Sequence, residues 1–166
     1  MEDERALVES ARALLKDVTP LNTDCGRVCG HACCQPDENG KGGMLLFPGE
    51  AALYADDPDF EVIRDDTVLP DGQLIVCRGR CRRDRRPLAC RFFPLRPTAG
   101  GKAVMDRRSA WVCPLYAGGK GALLPDFVAA CESAAGLLSR SDTQRAFLEA
   151  LRERIRMETD EKNWWR

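Results

Sequence analysis

Cysteine content is the feature that most constrains this chain, which has nine cysteines in 166 residues. Eight of them form two groups of four, and the ninth is isolated at Cys131. The members of the two groups are Cys25, Cys29, Cys33 and Cys34, then Cys77, Cys81, Cys90 and Cys113. In a reducing compartment, such groups are more typical of metal ligands than of disulfides. The cysteines therefore predict a thiolate metal centre built from these eight residues.

The sequence around the cysteines supports this prediction, because it carries little apolar material. Residues 25–43 are rich in Gly, Cys, Asn and Asp, and residues 78–97 have few apolar side chains and prolines at 87, 94 and 97. Segments of this kind cannot hold a shape by burial alone, so a bound metal would supply part of their folding free energy. We expect both segments to depend on a metal.

The cysteine spacing bears on which metal would bind. Thiolates select zinc, iron–sulfur clusters or cuprous copper, and a closed site takes about four of them, so eight could complete two sites or one site with thiols to spare. Ligand sulfurs in tetrahedral zinc lie about 3.8 Å apart, which a C-x2-C pair delivers easily. This chain has C-x3-C pairs instead, and one helical turn between thiols suits a larger cluster at least as well. We predict an iron–sulfur cluster, of the 4Fe-4S type, with zinc as the alternative.

A sequence motif adds a resemblance. Residues 86–94, read as RPLACRFFP, resemble the RPxxCRxFP signature of the zinc- or iron-chelating domain family known for its CxxCxxCC cluster. The resemblance covers Cys25 to Pro114 and departs in having three residues in both gaps of the first group. A similar module occurs in flagellin lysine N-methylases, which the resemblance associates with an iron–sulfur cluster. It keeps a protein-modifying enzyme open as an alternative, although the chain has no recognisable S-adenosylmethionine motif, and it leaves enzyme status undecided.

Three further residues need an interpretation. His31 is the only histidine and lies inside the first cysteine group, where it is either a ligand, a hydrogen-bond donor to one, or an ordinary loop residue. Cys33 and Cys34 are adjacent, and because neighbouring side chains diverge in a regular helix or strand, either the two serve different metals or one of them is not a ligand. Cys131 lies on an apolar helical face and is predicted to be a core thiol.

Charge is unevenly distributed along the chain, although the formal net charge is only −1. Residues 50–76 hold eight acids and one arginine, whereas residues 77–108 hold eleven bases and two acids. Seven arginines near the second cysteine group could donate hydrogen bonds to thiolate sulfur: Arg78, Arg80, Arg82, Arg83, Arg85, Arg86 and Arg91. The absence of interleaved aromatics and a sequence pI near 5.9 argue against nucleic-acid binding. A zinc-dependent interaction module that contacts a protein through residues 78–86 or through Trp164 and Trp165 stays open.

The predicted elements begin with a helix and a hairpin. Apolar residues at helical spacing, closed by Pro20, predict an N-terminal helix: Leu7, Ala11, Leu14, Leu15 and Val18. Runs 60–64 and 73–77 flank a Pro70-Asp71-Gly72 turn and predict a β-hairpin. Short elements are expected at 50–54, as a helical turn, and at 102–106, as a strand.

Two helices are predicted to close the chain. Pro125 suits a first helical position, and the apolar face that follows comprises Phe127, Val128, Cys131, Ala134, Ala135 and Leu138. Residues 141–144 fit a capping box for a second helix with Phe147, Leu148, Leu151 and Ile155. The sequence thus predicts one α+β domain over 1–166, with helix predominant and a metal-organised centre over 25–114. No run of about 20 apolar residues or secretory signal is present, which predicts a cytoplasmic protein without a membrane span.

Overall fold

Helix faces with apolar side chains meet at the centre of the molecule. The structure is a computed structural model, which describes residues 2–35, 42–77 and 81–164. The helices are α1 (Glu2–Leu14), α2 (Gly26–Cys29), α3 (Leu88–Phe92), α4 (Pro125–Leu138) and α5 (Asp142–Trp164). The strands are β1 (Met44–Leu45), β2 (Phe60–Arg64), β3 (Gln73–Cys77), β4 (Leu95–Pro97) and β5 (Ala103–Met105). Short 3₁₀ turns cover Ala32–Cys34, Ala51–Leu53, Arg83–Arg85, Arg107–Trp111 and Tyr116–Ala122. Helix makes up about 51% of the structure and strand about 12%, which confirms the helix-predominant α+β class.

The main core lies between α1, α4 and α5, where the predicted faces of the closing helices are confirmed. The buried residues of α4 are Phe127, Cys131, Ala134, Ala135 and Leu138, and those of α5 are Phe147, Leu148, Leu151 and Ile155. In α1 the prediction was partly wrong. Val8 and Ala11 are buried but Leu14 is 45% exposed, because the face that meets α4 is set by residues 8, 11 and 15.

The predicted hairpin is confirmed. Strands β2 and β3 pair antiparallel, with Phe60 opposite Cys77 and Arg64 opposite Gln73. Strand β1, which was not predicted, adds to the free edge of β3. A small second core of Leu46, Tyr54 and Ile75 lies against this sheet. Strand β3 therefore ends at Cys77, one of the predicted metal ligands.

The segment after the gap at 78–80 reaches the main core. The few apolar residues of this segment are buried, since Leu88, Phe92 and Leu95 are each 0 to 1% exposed. The prolines argued against a long regular element, and the segment was predicted as loops with one short helical turn. Helix α3 is that turn, and the three-residue β4, which was not predicted, pairs with the predicted β5. Pro97 is tolerated because β4 lies in a two-stranded ribbon, where a missing N–H costs little.

The start of α5 uses half of the predicted capping box. Ser141 Oγ accepts a hydrogen bond from the Gln144 backbone N–H at 3.2 Å. The Gln144 side chain does not return to Ser141 and instead donates to Glu4 Oε2 at 2.7 Å and to the Pro48 carbonyl at 2.9 Å. This amide thus ties α5 to the N-terminal helix. Pro125 occupies the start of α4 as predicted.

Within the described ranges, no single helix is both long and apolar enough to cross a membrane. One pair of helices bent by 89°, Tyr116–Ala122 with Pro125–Leu138, meets the length and composition criterion together.

Candidate metal centre

The eight grouped cysteines come from four parts of the fold. Cys25 and Cys29 flank and end α2, and Cys33 and Cys34 lie in the following 3₁₀ turn. Cys77 ends β3 and Cys81 follows it, Cys90 lies within α3, and Cys113 follows the 3₁₀ turn 107–111. All eight are free thiols, most of them half-buried, and Cys33 is exposed.

Local contacts shape the first group. Asp24 Oδ1 accepts a hydrogen bond from the Gly26 N–H at 3.1 Å, which starts α2. Gly30 and His31 then both adopt left-handed conformations, with φ of 62° and 59°, and turn the chain toward Cys33. The His31 ring covers Gly26 so closely that a Cβ there would lie 2.2 Å from Nδ1. His31 is therefore packed against the start of α2 rather than a loose loop residue.

Cys33 and Cys34 do not diverge as the sequence predicted. Their Sγ atoms lie 4.0 Å apart, because a 3₁₀ turn brings the adjacent side chains to one side. The contact with Cys33 lowers the pKa of Cys34 to about 6, assisted by the positive charge of Arg86 and by His31. The same contact raises the pKa of Cys33, so the pair is suited to share one proton.

Charge coupling links the eight thiols into one group. Cys25 interacts with Cys29 and Cys113, and Cys33 interacts with Cys25 and Cys90. The second half is joined in the same way, since the thiols that act on Cys90 are those of Cys34, Cys77 and Cys81. Each of the eight sequence-predicted thiols is therefore within electrostatic reach of at least one other.

Cys131 stands apart from this group, as predicted. It is fully buried in the main core, and burial raises its pKa to about 12. The charged groups that act on it are Glu132 and Lys120, and no other cysteine is among them.

The thiols share a region without forming a coordination shell. Among the described residues, no three His, Cys, Asp or Glu side chains converge in an arrangement that would hold a metal ion. Burial raises the pKa of Cys25, Cys81, Cys90 and Cys113, which favours their protonated form. Because a metal binds thiolates, metal binding here would release these protons. The ligand assignment stays a prediction.

Among the arginines that the structure describes, one contacts the thiols directly. Arg86 hydrogen-bonds the Cys81 sulfur, and its charge also favours the thiolates of Cys25 and Cys34. We expected several arginines to do this, but Arg85 binds Asp57 Oδ2 at 2.7 Å instead. Arg78 and Arg80 lie outside the described residues, as do Trp165 and the side chain of Trp164.

Arg91 does not donate to sulfur, which corrects the role that its place in the motif suggested. Its guanidinium donates to the carbonyls of Arg86 at 2.8 Å, Asp84 at 2.9 Å and Arg12 at 3.3 Å. The side chain thereby fixes the backbone turn that carries Arg86. Arg91 positions the arginine that contacts the thiols.

A buried carboxylate that sequence reasoning missed holds the helix of Cys90. Glu50 is 0% exposed, and its two oxygens accept from the Leu88 N–H at 2.7 Å and the Phe47 N–H at 3.1 Å. It therefore satisfies the first amide of α3. Burial raises the pKa of Glu50, while the charges of Arg12 and Arg91 oppose that shift. In an acid-rich stretch, nothing in the sequence distinguishes this residue.

Comparisons with protein-family models, with curated proteins and with solved structures found no match to this chain. The resemblance of residues 86–94 to the chelating family therefore stays a prediction. The case for a metal centre depends on the residues described above.

Proposed function

We propose that this chain is a cysteine-thiolate metal-binding protein that carries an iron–sulfur cluster. The observation that supports it is the gathering of eight thiols from four separate parts of the fold into one charge-coupled group, while the ninth lies in the apolar core. Burying several thiols together beside arginines gains little packing energy compared with apolar side chains. A shared soft-metal ligand role accounts for the grouping.

The choice of an iron–sulfur cluster follows from the spacing and number of the thiols. Cys25 and Cys29 lie one turn apart at α2, a separation that suits a cluster at least as well as a single ion. A 4Fe-4S cluster takes four thiolates, so eight residues provide more than one cluster requires. A cluster bound here would supply electron-transfer capacity and folding free energy. Arg86 would offset the negative charge of the thiolates.

Structural zinc is the second candidate, and one distance favours it. The 4.0 Å between the sulfurs of Cys33 and Cys34 is close to the roughly 3.8 Å edge of a tetrahedral zinc–sulfur site. Both thiols of this pair could therefore bind one zinc ion without a large movement.

Metal analysis of protein purified without air tests the two candidates. We expect iron and acid-labile sulfide in similar amounts, with broad absorption in the visible range. Stoichiometric zinc without iron or sulfide, from cells given ample iron, would replace the cluster by structural zinc. Protein free of metal under both conditions would contradict both candidates.

Two cysteine variants test the ligand assignment with a matched comparison. Cys90→Ser should lose metal, because a hydroxyl is a far poorer soft-metal ligand than a thiolate. Cys131→Ala should keep the metal and lower the free energy of unfolding by about 1 kcal/mol, an ordinary core truncation. Loss of metal from Cys131→Ala with retention in Cys90→Ser would show that the assignment of ligands is wrong.

A further inference from the structure

Cys33 and Cys34 are adjacent residues whose sulfurs face each other. Their Sγ atoms lie 4.0 Å apart, and Cys33 is exposed to solvent while Cys34 is partly buried. The nearby Cys29, by contrast, directs its thiol to the Cys25 carbonyl at 3.8 Å rather than to another sulfur. Among the described residues, no third His, Cys, Asp or Glu joins the two in a set of ligands. The geometry is therefore that of a thiol pair.

Two thiols at this distance are suited to form a disulfide. The sulfurs would move from 4.0 Å to a bonded length of about 2.05 Å. The turn that carries them is held by local hydrogen bonds, from the Cys34 N–H to the His31 carbonyl at 2.9 Å and from the Gln35 N–H to the Ala32 carbonyl at 3.3 Å. Neither thiol lies in the apolar core, so the movement leaves the core packing in place.

A disulfide between adjacent residues is easily reduced. The peptide bond that joins Cys33 to Cys34 is trans, so their Cα atoms are about 3.8 Å apart. Ordinary disulfides span about 4.4 to 6.8 Å between Cα atoms, and a departure from this range stores strain that makes the bond more reducible. Strained or exposed disulfides are the labile ones, whereas structural disulfides resist reduction. A bond formed here would therefore open and close reversibly.

We propose that Cys33 and Cys34 are a redox-active dithiol that exchanges with low-molecular-weight disulfides of the glutathione class. The thiolate of the exposed Cys33 attacks one sulfur of the small disulfide, forms a mixed disulfide and releases one small thiol. The thiolate of Cys34 then attacks the Cys33 sulfur, closes the bond between the two residues and releases the second small thiol. The protein pair loses two electrons and two protons, and the small disulfide gains both. This activity goes beyond metal binding and does not rest on it.

Oxidation by glutathione disulfide tests the pair. The full chain as purified, with its metal content measured, and the same protein after chelation are equilibrated without air with excess glutathione disulfide. Free thiols are then alkylated, and trypsin cleavage after Arg27 and Lys41 yields one peptide that contains Cys29, Cys33 and Cys34.

Mass spectrometry of this peptide gives the readout. In the chelated protein we expect alkylation of Cys29 alone, with Cys33 and Cys34 each lighter by one hydrogen. Excess reduced glutathione should restore alkylation of all three cysteines. Three alkylated cysteines after oxidation, a bond that includes Cys29, or a lasting glutathione adduct on the wild-type chain would overturn the proposal.

Serine variants separate the two steps of the exchange. In Cys34→Ser the second attack cannot occur, so glutathione should stay attached to Cys33 as a mixed disulfide. In the matched control Cys29→Ser, the bond between Cys33 and Cys34 should form to the same extent as in the wild type. Loss of the bond in Cys29→Ser, or a Cys33 without an adduct in Cys34→Ser, would overturn the assignment. If a variant fails to fold, the mapping of the wild-type peptide decides.

The outcome for metal can be distinguished from this test. Thiolates are the metal ligands, so a metal and a closed disulfide compete for this pair. A pair that resists oxidation until the metal is removed would support both proposals. Formation of the bond in protein that carries no metal as purified would contradict only the metal proposal. Metal-loaded protein whose pair stays reduced even after chelation would overturn only the redox-active dithiol.

Discussion

The two cysteine segments of the site are held in different ways. Of residues 25–35, only Gly26 is buried. Residues 81–97 place Leu88, Phe92 and Leu95 in the main core at 0 to 1% exposure. One half of the candidate centre is therefore fixed by apolar packing, and the other half is not.

Hydrogen bonds repeat this contrast. The backbone bonds of the first segment are local, such as His31 N–H to the Gly26 carbonyl at 3.0 Å. The second segment is tied to distant parts of the chain through Glu50 and through Arg91 with Arg12. The comparison teaches that the two halves of the candidate centre differ in stability, so that residues 25–35 would close against the packed second segment if the proposed metal binds.

Removal of the metal should have the largest effect, and that effect should be confined to residues 25–35. Treatment with a strong chelator is expected to open residues 25–35 to protease and hydrogen exchange, because the proposed metal would supply their main long-range constraint. Residues 83–97 should keep their protection through the core. Mass spectrometry of exchange in verified apoprotein measures both at once. Equal opening of the two segments would break the comparison.

Core truncation should have the next largest effect. Phe92→Ala should lower the free energy of unfolding by about 3 to 5 kcal/mol, because it leaves a cavity in the main core. Val28→Ala, in the first segment, should change it by less than about 0.5 kcal/mol, since Val28 is 55% exposed. Denaturant unfolding of both variants compares them. Similar costs would show that the first segment is packed as firmly as the second.

Replacing the buried Glu50 should have a smaller effect on the free energy of unfolding, and that effect should depend on pH. Glu50→Gln leaves one backbone N–H facing an amide donor and should cost about 1 to 3 kcal/mol. Since burial raises the pKa of Glu50, the folded state holds its proton to higher pH than the unfolded state. Native stability should therefore fall as pH rises from the ordinary carboxyl pKa to the raised one, and the variant should lack that slope.

Melting curves across this pH range compare wild type, Glu50→Gln and the exposed-site control Glu61→Gln. The control should reproduce the wild-type slope. If Glu50→Gln retains the same slope as wild type, the pH dependence belongs to other groups.

The smallest global effect is expected from Gly26→Ala. The new Cβ would lie 2.2 Å from His31 Nδ1, so the ring must leave its place. Because residues 25–35 contribute little to the core, global stability should change by less than about 0.5 kcal/mol. NMR signals of the His31 ring should shift in Gly26→Ala. The control variant Gly121→Ala adds a Cβ that meets no atom within 4 Å, so its His31 signals should stay in place. A large loss of global stability would mean that the first segment supports the fold.

Elements with a strong local pattern were predictable from the sequence. The hairpin 60–64 and 73–77 was predicted with its observed bounds, because apolar runs flank a turn-forming sequence. The α4 face was predicted because its period is unambiguous. Strand β4 was missed, since its pairing with β5 outweighs the local preference of Pro97. Leu14 was wrongly predicted to lie on the buried face of α1, because a shift of one residue along a helix changes which side chains face α4.

For the site, the sequence separates Cys131, which is buried in the core as predicted, from the other eight cysteines, but it does not reveal the residues that support those eight. Cysteine count and spacing say nothing about Glu50, which reaches α3 only after the chain folds. The motif suggested a sulfur contact for Arg91, whereas three nearby carbonyls take its donors. Long-range hydrogen bonds of this kind leave no local pattern to detect.

The packing of α1 on α4 sets an order of events during synthesis. Residues 25–113 carry all eight grouped thiols, and they emerge from the ribosome before α4, against which α1 packs. At about 5 to 20 residues per second, roughly 1 to 5 s separate translation of Cys113 from translation of Leu138. During that interval the thiols that have emerged are open to the surrounding solution, where delivery of the proposed metal would compete with oxidation by whatever oxidant is present.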